Sequence, residues 1–105
     1  MIMNLFMSTK KKLELGYLQL IRRVSQFKKA QTKTNFTYMI EGINNFKKLL
    51  KILGFEEQDI FKYLEEFESE FKGNYKEFEN KKRKKVIDQF AEDKMVWIRD
   101  SIEKI

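Results

Sequence analysis

The sequence predicts an all-α fold, a bundle of four helices, and three observations carry that expectation. Pro is absent and Gly occurs four times in 105 residues, so the turn residues that a β-sandwich or barrel needs every ten or so positions are missing. Apolar residues recur in steps of three and four, the spacing of a helix with one buried face. Ten Phe residues within a 42% apolar composition supply material for one core. A chain of this length makes one helical domain, residues 1–105, which folds with little margin.

The first helix is expected over 9–31. Leu13, Tyr17, Leu20, Val24 and Phe27 form its stripe, widened by Leu18 and Ile21. Ser8 or Thr9 can cap it, because a hydroxyl accepts an orphan amide at a helix start. Gly16 inside it costs roughly 1 kcal/mol against Ala and marks a close helix contact. The polar stretch QTKTN at 31–35 reads as a connection. A second helix over 36–53 carries Phe36, Met39, Ile40, Ile43, Phe46, Leu49, Leu50 and Leu53, with Thr34 or Asn35 as its cap.

Gly54 follows the last periodic residue, where a left-handed C-cap favours Gly. The third helix, 56–72, opens on Glu56, Glu57 and Asp59, which suit the positive end of its dipole. It carries Ile60, Leu64, Phe67 and Phe71. Gly73-Asn74 reads as a turn into a fourth helix, 75–104. In the alternative, the third and fourth helices run on as one, roughly 74 Å long at 1.5 Å per residue. A helix of that length buries its stripe only in a dimer. Residues 1–8 are expected to be disordered or to lie upstream of the natural start, since Met3 and Met7 offer other starts.

The sequence has no Cys and no His, which excludes disulfides, thiol catalysis and Cys/His zinc sites and removes the commonest general base. Neither a Gly-rich phosphate loop nor an activated Ser is present. The expected protein is non-catalytic, without metal or cofactor, and cytoplasmic. It lacks an apolar run of the ~18–20 residues that span a membrane. Lys outnumbers Arg by 18 to 4. That usage points to an AT-rich coding sequence, as in low-GC bacteria, archaea and mobile elements such as phages, plasmids and archaeal viruses.

The net charge of +6 is unevenly placed: residues 1–34 carry +7, and residues 56–80 carry −6. A run of five basic residues, Lys81, Lys82, Arg83, Lys84 and Lys85, stands in the fourth segment. If the chain turns at Gly73, Lys81 and Lys82 face Glu65 and Glu66, and the run is a partly paired, solvated helix face. In the second reading one acidic neighbour cannot neutralise five cations that point all round a helix, and the run joins Arg22, Arg23, Lys28 and Lys29 of the first helix as a surface for anions. Arg22 and Lys29 are seven apart, Lys12 lies ten before Arg22, and the three are expected to share a flank.

Six or so such groups set against phosphates give steeply salt-dependent binding to a nucleic-acid backbone, without base-specific readout. Trp97, the single Trp, either caps the core or anchors a partner interface. The second functional expectation is therefore a protein-interaction module, a homodimeric regulator or an inhibitor whose partner meets the acidic third helix or the Trp97 end. In size, basic charge and helix pattern the chain resembles bacteriocin immunity proteins, which are small basic four-helix bundles; no individual motif carries that resemblance.

Overall fold

A computed structural model describes residues 8–73 and 84–105, with the side chains of residues 84–88 and 90 outside the description. The expected start of the fourth helix at 75, and Lys81, Lys82 and Arg83, lie outside the described residues. Four helices are present among the described residues: α1 (Thr9–Lys29), α2 (Lys33–Ile52), α3 (Asp59–Gly73) and α4 (Lys84–Glu103).

Each helix packs against its sequence neighbours, and α4 closes back onto α1. Cross-helix contacts give the directions. Gln26 of α1 meets Asn35 of α2, Lys47 of α2 meets Glu68 of α3, Glu66 of α3 meets Lys94 of α4, and Lys28 and Lys10 of α1 meet Glu92 and Glu103 of α4. Neighbours are thus antiparallel throughout, an up-down-up-down bundle with α1 diagonal to α3. No helix among the described residues is long and apolar enough to cross a membrane.

Local chemistry sets the helix ends. Ser8 caps α1, its hydroxyl accepting the Lys11 amide at 3.1 Å. Thr32, rather than Thr34 or Asn35, caps α2 by accepting the Asn35 amide at 3.2 Å. Asn35 holds the connection instead, donating to the Ala30 carbonyl and accepting from Gln26, so the link is shorter than QTKTN. At the other end Gly54 adopts φ +82. The Phe55 amide reaches back to the Leu50 carbonyl at 2.8 Å and the Gly54 amide to Lys51 at 3.1 Å. This is a Schellman cap, which turns Phe55 onto the core. Glu56 and Glu57 belong to that turn, and α3 begins later, at Asp59.

All four helices feed one core, from Leu13, Leu20, Met39, Ile43 and Leu50 through Ile60, Leu64, Phe67 and Phe71 to Ala91, Ile98 and Ile102. Gly16 lets α1 approach α2: a Cβ there would stand 2.8 Å from the ring of buried Phe46 and 3.1 Å from Leu49. Gly16→Val is therefore expected to cost about 2–3 kcal/mol through overpacking, although Val forms helix better than Gly. A urea melt of the variant reads this directly.

Lys47 and Lys72 bracket Glu68, at 3.1 and 2.9 Å. Burial pushes the Glu68 carboxyl up, but hydrogen bonds and charge from Lys72 and Lys47 outweigh it and hold the group below the usual carboxylate range. A depressed folded pKa contributes stability above the unfolded value, about 4.3, that is lost as pH falls through the folded value. Glu68→Gln is expected to cost about 1–2 kcal/mol at pH 7. The gap to wild type should narrow as pH falls from the unfolded value through the lowered folded one, as measured by urea midpoints across acidic pH. A gap that stays constant would mean the carboxylate charge is not what binds α2 to α3 here.

The hairpin between α3 and α4 bears on the basic run. Since α3 packs antiparallel on α4 within one chain, the continuous third and fourth helix does not form. The register also differs from a reversal centred on Gly73. Glu66 lies 3.2 Å from Lys94, and Tyr63 packs its ring 5.8 Å from that of Trp97. Glu66 therefore pairs with Lys94, and the expected facing of Lys81 and Lys82 against Glu65 and Glu66 lies outside the described residues. The Gly73 mirror failed because apolar side chains set helix register, whereas surface ion pairs are worth only ~0–1 kcal/mol and follow it.

Candidate nucleic-acid interface

On α1 the buried residues Leu13, Leu20, Val24 and Phe27 point into the bundle. At 100° per residue the opposite line runs through Lys11, Leu15, Leu18, Arg22, Ser25 and Lys29. All six are exposed. The only acidic residue of α1, Glu14, is off this line and half-buried. Arg22 and Lys29 flank a shallow depression that also takes in Ile21, Ser25 and Gln26. Across the short connection, Lys33 opens α2 and is exposed as well. Among the described residues, no carboxylate pairs with the side chains of Lys11, Arg22, Lys29 or Lys33.

Two of the basic residues grouped with these are placed otherwise. The Arg23 stem crosses the face of Gly42, which has no side chain to block it. Its Nη1 donates to the Tyr38 carbonyl at 2.7 Å, its guanidinium lies 4.1 Å over the Tyr38 ring, and Glu41 stands at 3.8 Å. Arg23 thus ties α1 to α2. Lys28 ties α1 to α4 through Glu92 at 2.6 Å. The helical angle separates the two sets: seven residues return Arg22 and Lys29 to one line, whereas Arg23 and Lys28 fall roughly 100° to either side of it. Lys12 is half-buried, and its ten-residue spacing misses the line by about 80°, where the eleven-residue spacing to Lys11 misses by about 20°.

The basic run is described only in part. Lys84 and Lys85 begin α4, and their side chains, with Lys81, Lys82 and Arg83, lie outside the described residues. The antiparallel order nevertheless sets the start of α4 at the bundle end that holds the end of α1 and the start of α2, with Lys28, Lys29 and Lys33.

Glu41 and Glu92 meet Arg23 and Lys28; the exposed carboxylates of α3 collect elsewhere. Glu65, Glu66 and Glu70 are exposed on α3, the helix diagonal to α1. Neighbouring helix axes lie about 8–10 Å apart, so outward charges on diagonal helices are separated by well over two Debye lengths, each ~8 Å at physiological salt. Trp97 is 45% exposed on α4, beside Tyr63 and with the Lys94 ammonium 4.6 Å from its ring. It borders the acidic side and is far from the α1 line.

Neither protein-family models nor comparisons with curated proteins and with solved structures yield a match to this chain.

Proposed function

We propose that this protein binds nucleic acid non-catalytically through the phosphate backbone, using the outward face of α1 with Lys33 and the Lys81–Lys85 run. The observation that carries the reading is the acid-free line Lys11, Arg22, Lys29, with every α3 carboxylate turned to other sides of the bundle. Lys11 to Lys29 spans roughly 27 Å of helix, about the rise of eight base pairs along one strand. Flexible ammonium and guanidinium groups on a straight rod suit a repeating phosphate ladder and carry no base readout. An acidic α3 beside α1 would cancel this attraction; diagonal to it, screening removes most of its effect.

Fluorescence anisotropy with DNA and RNA oligomers over a salt series tests the reading. Four described cations predict a log–log salt slope of about −3 to −4, and the basic run steepens it. Absence of micromolar binding at ~0.05 M salt, where phosphate contacts are strongest, sinks the proposal.

A further inference from the structure

Of the tyrosines among the described residues, Tyr17 and Tyr63 pack against the core, whereas Tyr38 of α2 is 40% exposed. Its ring is nevertheless held. The Arg23 guanidinium lies 4.1 Å over it, anchored there because Arg23 Nη1 donates to the Tyr38 carbonyl at 2.7 Å. A shallow depression borders the ring, lined by Lys33, Thr34, Thr37, Tyr38 and Glu41. Arg23 takes no part in that lining, so the ring meets the depression with the surface that Arg23 leaves uncovered. The result is a fixed aromatic surface, open to solvent, beside two hydroxyls.

Cations stand on both sides of it. The contacts of Arg23 with Tyr38 and of Gln26 with Asn35 set the ring level with residues 23–26 of α1. Arg22 and Lys29 bracket that level, roughly 10 Å apart along the helix. Lys33 lines the depression itself. A strand that passes from the α1 line to Lys33 therefore crosses Tyr38. The carboxylate in the depression, Glu41, is 3.8 Å from the Arg23 guanidinium, which offsets its charge.

We propose that Tyr38 is a stacking platform for one unpaired base of a single strand whose phosphates the flanking cations hold. The inference rests on the phosphate-backbone reading above and adds the form of nucleic acid that the site takes. Every base has a π-face, so stacking adds affinity without sequence readout, in keeping with cations that read only phosphate. Thr34 and Thr37 hydroxyls donate or accept alike, and so admit any base edge. Arg23 fixes the ring before a base arrives, which lowers the ordering cost of binding. A duplex offers no free base face: its bases are already stacked, and extruding one forfeits its stacking and pairing.

Fluorescence anisotropy at ~0.05 M salt, with a labelled strand of about 12 nucleotides and with its duplex, tests this. Tyr38→Leu keeps an apolar side chain and the backbone carbonyl that Arg23 uses. It should weaken single-strand binding about 5- to 100-fold and leave duplex binding within about twofold. Tyr38→Phe should match wild type on both, and circular dichroism should be unchanged in each variant. Tyr38→Trp in a Trp97→Phe background puts the single Trp on the platform, where the strand should quench its emission and the duplex should not. Equal losses on strand and duplex, full single-strand affinity in Tyr38→Leu, a Tyr38→Phe loss as large as that of Tyr38→Leu, or quenching by duplex as well would each overturn the platform and leave the phosphate reading standing. Wild type that binds neither form would instead remove the phosphate reading, and the platform with it.

Discussion

Reversing Arg22 and Lys29 together to Glu is expected to weaken binding to DNA and RNA oligomers about 30- to 100-fold at ~0.05 M salt, and to flatten the log–log salt slope by about 2. Each reversal removes one phosphate contact and adds a repulsion of similar size. Neither side chain has an ion-pair partner among the described residues, so the fold should lose almost nothing, and circular dichroism and urea midpoint should match wild type. That combination distinguishes the site from its support. Arg23→Gln removes a hydrogen bond, a cation–π contact and an ion pair to α2, and should cost about 1–3 kcal/mol of stability while leaving the slope within about 0.5 of wild type. Lys62→Glu, on exposed α3, should change neither. If the double reversal leaves the slope intact, α1 is not the interface; a further loss on reversing Lys81, Lys82 and Lys84 would then assign it to the basic run.

The fold was legible in the sequence because periodicity and caps are local. The α1 stripe, Ser8, the close contact at Gly16 and the Gly54 turn all follow from residues within one or two turns of each other. The two missed helix starts have separate local causes. Glu56 and Glu57 suit a helix dipole, yet the Schellman cap needs Phe55 folded back on the core, which delays α3 to Asp59. Thr32 won over Asn35 because Asn35 has two donors and an acceptor that bridge Ala30 and Gln26.

The site was legible only as a list of charges. Sequence proximity grouped Arg22 with Arg23 and Lys28 with Lys29, but adjacent helical residues are 100° apart, so each pair divides between solvent and a neighbouring helix. The pairing of Glu66 with Lys94 was out of reach, since a hairpin's register is set by how two apolar faces interlock and not by counting from a glycine.

Replacing Phe71 by Ala should remove about 3–5 kcal/mol of stability, a large share of the ~5–15 kcal/mol that holds a domain folded. Phe71 is fully buried. It stacks on Phe67 with centroids 4.9 Å apart and meets the Phe27 edge at 6.0 Å, and Phe27 in turn meets Phe36 at 5.9 Å. These rings join α1, α2 and α3 at one end of the bundle, so truncation leaves a cavity that three helices line and none can fill alone. Phe71→Leu keeps most of the volume and should cost only about 1–1.5 kcal/mol. The urea midpoint should fall in that order with the m-value unchanged. The cluster also lies within one turn of Lys28, Lys29 and Lys33, and so fixes where the basic end presents its charges. At temperatures where Phe71→Ala remains folded, its salt slope should equal that of wild type, because stability and phosphate contact reside in different residues. A slope that drops with stability would instead mean that binding depends on the packing of this end and not on the α1 cations alone.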